Sequence, residues 1–130
     1  MIFVIDDDIV MAKCVARACK KIDEEAKEIR MFTNGIEAME AISSGEVPDL
    51  IFLDILLDGP DGFTFLNELL SYDDTMKIPV VIVTSLELSG RDLTDYGVVG
   101  VLSKETMRPE EMREYVLRYG LSVKGMKNVE

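Results

Sequence analysis

Leu50-Ile51-Phe52-Leu53-Asp54 is the stretch of this chain that decides its fold. Four apolar residues run directly into one carboxylate, with turn residues such as Pro48 before them and Pro60 after them. A short apolar run bounded in this way is typical of a strand that is buried on both faces. A carboxylate at the end of such a strand costs free energy unless it is paired or bound to a metal. Because ligands bind at the carboxyl ends of strands in an open parallel sheet, we interpret Asp54 as the reactive residue.

The composition is that of an acidic globular protein. The chain has 130 residues, which favours one domain with a single core. Its formal net charge of −11 argues against nucleic acid or an anionic membrane as a direct partner. No apolar run approaches the roughly 20 residues of a membrane-spanning helix. A basic leader with a cleavage site is also absent from the sequence, so we expect a cytoplasmic protein without membrane insertion.

The chain contains two cysteines and no histidine. The lack of histidine excludes the usual zinc sites and any Ser-His or Cys-His catalytic pair. Cys14 and Cys19 lie five residues apart on a predicted helix. We interpret both as reduced, partly buried small hydrophobic residues.

Predicted strands and helices alternate along the chain. The strands are predicted over residues 2–5, 28–32, 50–54, 79–83 and 98–103, and the helices over residues 9–23, 36–42, 62–72, 87–96 and 109–119. Asp8 is the predicted N-cap of the first helix, and Pro109 fits the first turn of the last one.

Three of the predicted helices have an apolar side at helical spacing. The side chains expected to be buried are Met11, Cys14, Val15, Ala18 and Ile22 in the first helix, Phe63, Leu66, Leu69 and Leu70 in the third, and Met112, Tyr115, Val116 and Tyr119 in the last.

Near-continuous apolar strands separated by amphipathic helices predict a parallel sheet that is covered on both faces. With right-handed crossovers, the expected fold is α/β: a doubly wound five-stranded sheet in a (βα)5 three-layer sandwich of the flavodoxin-like kind. We assign residues 1–120 to this one domain. Residues 121–130 show no clear periodicity and are assigned to a C-terminal tail.

Polar side chains gather at the C-terminal ends of the predicted strands. Asp6 and Asp7 follow the first strand, Asp54 the third, Thr84 the fourth and Lys104 the fifth. Taken singly, a strand-end Asp is usually a helix cap and a strand-end Lys is usually solvated. Because all these ends share one edge of a parallel sheet, the coincidence of three carboxylates, a hydroxyl and an ammonium favours a functional site.

In these features the sequence resembles the response-regulator receiver domain, over about residues 2–119. The family pattern is an acidic pair after strand one, an Asp after strand three with Asp-Gly seven positions later, a Thr or Ser after strand four, and a Lys after strand five. The matching residues here are Asp6-Asp7, Asp54 with Asp61-Gly62, Thr84 and Lys104. Five elements in the right order and on the right strands make a specific match.

The resemblance implies a phosphoacceptor switch in two-component signal transduction rather than an enzyme, one that supports its own phosphorylation and dephosphorylation. Asp54 would attack the phosphorus of a phosphohistidine on a sensor histidine kinase or phosphotransfer protein and become an aspartyl phosphate. Lys104 would pair with Asp54 before the reaction and with the phosphoryl group afterwards. Thr84 would donate a hydrogen bond to a phosphoryl oxygen.

The resemblance also implies a Mg²⁺ cofactor. Asp7, Asp54, the backbone carbonyl of Leu56 and the phosphoryl oxygens would hold the ion. Asp6 would orient the ion directly or through a water molecule. A few carboxylates together with phosphate and water are the ligands that Mg²⁺ prefers.

Three positions depart from the family pattern. Glu105 follows Lys104 where the family usually has Pro, so we expect the bend after the fifth strand to form differently. Val101 stands where many members have the Tyr or Phe whose rotamer reports phosphorylation, which argues against a switch of that kind. Asp58 replaces the usual Pro four residues after Asp54.

Two leucines bear on how long the phosphorylated state lasts. In the family, the side chains two residues after the phosphoacceptor and two residues after the hydroxyl residue flank the path of the hydrolytic water. Leu56 and Leu86 stand at these positions, and neither side chain can bind a water molecule. The resemblance therefore implies a long-lived aspartyl phosphate, unless one or both leucines point into the core or into the packing of the fourth helix.

Other functions of similar folds fit the residues less well. Loss of Asp7 or Asp54 would have indicated a receiver that only binds partners, but both are present. A phosphatase of the haloacid-dehalogenase kind needs a second Asp where Leu56 stands. A flavin carrier needs a loop rich in Ser, Thr or Gly after the first strand to bind the flavin phosphate. This chain has Asp6-Asp7-Asp8 there, and three carboxylates would repel that phosphate.

Whether the receiver acts alone or was cut from a longer regulator stays open, as do its kinase and its downstream protein.

Overall fold

The computed structural model describes residues 1–20, 28–57, 62–85, 93 and 96–120. The strands are β1 (Ile2–Ile5), β2 (Ile29–Phe32), β3 (Leu50–Leu53), β4 (Val80–Thr84) and β5 (Val98–Ser103). The helices in the described ranges are α1 (Ile9–Lys20), α2 (Gly35–Ser43), α3 (Gly62–Leu70) and α4 (Pro109–Tyr115), and a π-helical turn over Val116–Gly120 continues α4.

The five strands form one parallel sheet in the order β2-β1-β3-β4-β5. This order confirms the predicted doubly wound α/β fold, and the chain changes direction across the sheet between β1 and β3. Ile2 pairs with Leu50 and Ile5 with Leu53, so β1 and β3 end side by side. The residues that follow these two central strands are therefore neighbours at the carboxyl edge of the sheet.

Two hydrophobic clusters lie on opposite faces of the sheet. Phe3 and Ile5 of β1 pack with residues of α2 and α3, whereas Ile2 and Val4 pack with residues of α1 and α4. Every residue of β1 and β3 is buried. Burial on both faces explains why these strands are apolar throughout instead of alternating with polar residues.

The buried side of α1 differs from the prediction. Val15 and Ala18 are buried as expected, but Ala12 and Ala16 are also buried and Cys14 is exposed. The prediction of a partly buried Cys14 is therefore wrong, because α1 packs through its alanines. The predicted extension of this helix over residues 21–23, which includes Ile22, lies outside the described residues, as does the side chain of Cys19.

The described helices α3 and α4 follow the prediction with local changes. In α3, Phe65 is buried and Phe63 is only half-buried, and the helix ends at Leu70 instead of residue 72. Met112 and Val116 are buried against the sheet, as predicted. Apart from Leu93 and Tyr96, the predicted helix over residues 87–96 lies outside the described residues, as does the tail over 121–130. Within the described ranges, no helix is long and apolar enough to cross a membrane.

Candidate functional site

Asp6 and Asp54 lie together at the carboxyl edge of the sheet. The Asp54 N–H donates to the Ile5 carbonyl at 2.9 Å, and the Asp6 N–H donates to the Phe32 carbonyl at 2.9 Å. Both residues are only 4% exposed, because each follows a fully buried strand. The strand pairing therefore holds two ionisable side chains in a largely desolvated position.

Asp7 completes a cluster of three carboxylates. One carboxylate oxygen from each of Asp6, Asp7 and Asp54 lies within 4.8 Å of the others. Asp7 is exposed, whereas the other two are buried, so the cluster opens to solvent on the Asp7 side. The three acidic residues predicted from the sequence are thus brought together.

Lys104 reaches the two buried carboxylates from the end of β5. Its Nζ lies 2.9 Å from Asp54 Oδ2 and 2.9 Å from Asp6 Oδ2. The backbone N–H of Lys104 donates to the Thr84 carbonyl at 3.0 Å, which anchors the residue beside β4. The contact with Asp54 was expected, but the contact with Asp6 was not. Because β4 separates β5 from β3, only a long side chain can bring an ammonium group to this cluster.

The ammonium and the carboxylates influence each other's protonation. Burial raises the pKa of Asp6, and the hydrogen bonds from Lys104 and the Asp8 amide offset part of this rise. Burial by itself would lower the pKa of Lys104, but its hydrogen bonds to Asp54 and Asp6 raise that pKa overall. Lys104 therefore stays protonated at neutral pH, and the Asp6 carboxylate depends on it for compensation.

Backbone amides hold the carboxylate oxygens in place. The Leu56 N–H donates to Asp54 Oδ1 at 3.0 Å, while Asp54 Oδ2 accepts from Lys104. The Asp8 N–H donates to Asp6 Oδ1 at 2.9 Å. Asp8 also caps α1 as predicted, since its Oδ1 accepts from the Val10 N–H at 3.1 Å. The two buried carboxylates are therefore oriented before any ligand binds.

Gly62 is the part of the Asp-Gly pair that the structure describes. A Cβ at this position would lie 2.7 Å from the Ile55 Cα and 2.8 Å from the Asp54 carbonyl oxygen. The Gly62 N–H donates to the Ile55 carbonyl at 2.9 Å. The start of α3 therefore packs directly on the backbone that follows Asp54, and only glycine fits there. Asp61 lies outside the described residues.

Thr84 and Leu56 also lie near this edge. Thr84 ends β4 and is 1% exposed, and it pairs with Ser103, the residue before Lys104. Leu56 is 50% exposed, so the alternative that its side chain points into the core is wrong. Leu86 and Asp58 lie outside the described residues.

The two other departures from the family pattern lie in and after β5: Val101 is within the strand and Glu105 follows it. Every described peptide bond is trans, including the one before Glu105. A turn forms the bend, in which the Met107 N–H donates to the Ser103 carbonyl at 2.8 Å and the Glu105 N–H to the Ser103 hydroxyl at 3.2 Å. Val101 is exposed, and the Tyr115 hydroxyl fills the space that a Cβ at Gly100 would need.

Comparisons with known proteins identify the family and the fold of this chain. A family model described as the response regulator receiver domain matches residues 2–117. Response regulator PleD of Caulobacter vibrioides (strain NA1000 / CB15N) is 36% identical over 70 residues, which are 54% of this chain and 15% of PleD. This chain therefore spans only a small part of the length of that relative.

Two solved structures illustrate the likeness in fold. A putative response regulator from Chloroflexus aurantiacus J-10-fl has a TM-score of 0.74 at 24% identity, covering 90% of this chain and 93% of its own. The receiver domain of the sensor histidine kinase PA1611 from Pseudomonas aeruginosa PAO1 has a TM-score of 0.75 at 18% identity, covering 91% of this chain and 94% of its own. The PA1611 structure has a magnesium ion coordinated in its active site cleft.

Proposed function

This chain belongs to the response-regulator receiver family, and on that premise we propose that it is a two-component switch that is phosphorylated on Asp54. One observation carries the proposal: the Lys104 ammonium contacts both Asp54 and Asp6, which are buried at the carboxyl edge of the sheet. A buried carboxylate held between a backbone amide and an ammonium is a nucleophile that is already oriented for reaction.

The reaction is a phosphoryl transfer from a phosphohistidine donor. An Asp54 carboxylate oxygen forms the new P–O bond while the P–N bond to the donor imidazole breaks. The imidazole leaves with the electron pair of that bond and takes up a proton. Lys104 supplies positive charge next to the phosphoryl oxygens, where negative charge builds up. The Thr84 hydroxyl, at the end of the neighbouring strand, donates to one of these oxygens.

The acidic cluster fits a Mg²⁺ ion. Three carboxylate oxygens within 4.8 Å of one another are hard ligands of the kind that Mg²⁺ prefers. Asp7, Asp54 and the Leu56 carbonyl would hold the ion, with Asp6 orienting it directly or through water. When bound, the ion would neutralise charge on the phosphoryl group. The magnesium ion in the PA1611 receiver domain supports this assignment.

The phosphodonor is a sensor histidine kinase or a phosphotransfer protein, and the protein acts in the cytoplasm. Residues 1–120 form the phosphoacceptor domain, followed by a tail over residues 121–130. The phosphorylated domain switches its contacts with a downstream protein. The acidic net charge of −11 argues against direct binding of nucleic acid.

Intact mass spectrometry tests the proposal. After incubation with Mg²⁺ and acetyl phosphate, the protein should gain the mass of one phosphoryl group. Asp54→Asn should abolish this adduct, and a chelator should suppress it in the native protein. Asp73→Asn removes an exposed carboxylate after α3 and should leave the adduct unchanged. An adduct that persists in Asp54→Asn, or forms equally in chelator, would refute the assignment.

A further inference from the structure

The helix α2 carries apolar side chains on two of its sides. Its residues Gly35, Ala38, Ala41 and Ile42 are buried under the sheet. A second stripe runs along another side of the helix to its C-cap, Ser44, and contains the apolar Ile36 and Met39 together with the polar Glu40, Ser43 and Ser44. Ile36 is 53% exposed. A surface helix normally carries its apolar residues on one side, so the position of Ile36 and Met39 in this stripe needs its own explanation.

The second stripe forms one wall of a groove between α2 and α3. Together with Glu68 of α3 it encloses a space of about 460 Å³ that is open to solvent. The two helices approach closely at Gly35, where a Cβ would lie 3.3 Å from the Phe65 side chain. The groove therefore has a packed base and a wall on which Ile36 is exposed and Met39 is half-buried, and these two side chains suit contact with apolar side chains from another molecule.

The groove is negatively charged. Glu40 and Glu68 are exposed at its rim, and no Lys or Arg lines it in the described part of the chain. The C-terminal end of α2 also faces this region and carries the negative end of the helix dipole, with no basic residue in its last turn. These three sources of negative potential favour a cationic ligand beside the apolar side chains of Ile36 and Met39.

We propose that the groove between α2 and α3 binds a basic amphipathic helix from another protein. Apolar side chains of the helix would pack on Ile36 and Met39, and its Lys or Arg side chains would reach Glu40 and Glu68. A second copy of this chain bound by two-fold symmetry would place these carboxylates against each other, which disfavours that occupant. The groove is separate from the phosphoacceptor site, so this surface is a function beyond phosphorylation.

A synthetic peptide tests the proposal with the full 130-residue protein. The probe is a capped amphipathic helix with leucines along one side and lysines elsewhere, and its control has glutamates in place of the lysines. The lysine peptide should bind, as measured by calorimetry, and should shift the backbone NMR signals of residues in α2 and α3. The glutamate peptide should not bind.

Matched variants separate docking in the groove from general attraction to an acidic protein. Glu40→Gln/Glu68→Gln should raise the Kd of the lysine peptide roughly three- to tenfold, because two exposed ion pairs are lost. Asp73→Asn/Asp74→Asn removes the same charge outside the groove and should change the Kd less than twofold. Ile36→Ser should weaken binding without altering the melting temperature, since Ile36 is exposed.

Several results would overturn the proposal. Equal weakening by the two double variants would mean that the binding is nonspecific. Absence of binding, equal binding of both peptides, or NMR shifts at Asp7 and Asp54 instead of α2 would each contradict docking in the groove. Concentration-dependent dimers in sedimentation that Ile36→Ser dissociates would identify a second copy as the occupant. None of these measurements depends on phosphorylation of Asp54. The docking proposal can therefore be refuted while the proposed function stands.

Discussion

Lys104→Met should destabilise the folded protein because it removes the cation between two buried carboxylates. The Nζ atom lies 2.9 Å from Asp54 Oδ2 and 2.9 Å from Asp6 Oδ2, and the Lys104 side chain is 14% exposed. Methionine keeps the length and most of the packing of the lysine stem. The variant therefore tests the charge, and leaves Asp6 facing Asp54 in a desolvated position.

The size of the loss in stability follows from the burial of Asp6 and Asp54, the two partners of Lys104. Removing one member of a buried ion pair costs about 3–5 kcal/mol. The raised pKa of Asp6 allows that carboxyl to take up a proton when its partner is lost, which limits the penalty. We expect the free energy of unfolding to fall by about 2–4 kcal/mol near pH 7.5 without Mg²⁺. For a domain of this size, this corresponds to a fall in melting temperature of roughly 8–16 °C.

The loss of stability in Lys104→Met should change with pH in a direction that can be measured. An acid whose pKa is raised on folding binds protons more tightly in the folded state, so the unfavourable charge disappears as the pH falls through the folded pKa. The loss of stability in Lys104→Met should therefore shrink between pH 7.5 and pH 5.

Urea denaturation at these two pH values, in the presence of a chelator, measures the change. Lys77→Met makes the same chemical change at an exposed residue and should alter the free energy of unfolding by less than about 0.5 kcal/mol. A Lys104→Met protein that is no less stable than Lys77→Met, or one whose penalty grows as the pH falls, would refute the reasoning.

Three further measurements probe the same edge of the sheet. Mg²⁺ should raise the melting temperature, by the equivalent of about 1.4 kcal/mol at ten times its Kd, and Asp7→Asn should blunt this rise; an equal response in both proteins would count against Asp7 as a ligand. Gly62→Ala should cost about 1–3 kcal/mol in urea denaturation, because its Cβ would overlap the backbone at Ile55; an unchanged midpoint would show that α3 shifts freely. The variant Leu56→Asn/Leu86→Glu should lose phosphate several-fold faster than the native protein once the donor is removed, since each ~1.4 kcal/mol of barrier is a factor of about ten in rate. Equal decay in the two proteins would mean that the leucines do not shield the aspartyl phosphate.

The sequence by itself determined the fold class and the membership of the acidic cluster. The apolar runs 2–5 and 50–53 are typical of strands buried on both faces, and each runs directly into carboxylates. Parallel strands end at a common edge, so Asp6, Asp7 and Asp54 had to meet there once the alternation of strands and helices was recognised. The turn residues, the Asp8 cap and Pro109 were also readable, because capping and proline chemistry act within a few residues.

Only the tertiary structure decided which residues the shared edge brings into contact and how each helix is turned against the sheet. Lys104 contacts Asp6 across 98 residues, and that contact depends on strand order, on register and on the reach of one side chain over β4. Helical spacing predicts that α1 has a buried side, but the side that packs against the sheet contains Ala12, Val15 and Ala18, and Cys14 is exposed. The second stripe of α2 becomes a groove only because α3 packs beside it at Gly35. Local periodicity constrains a single helix or strand, whereas these contacts depend on the distances between helices and strands. Side-chain packing determines those distances, and the spacing of residues along the sequence does not.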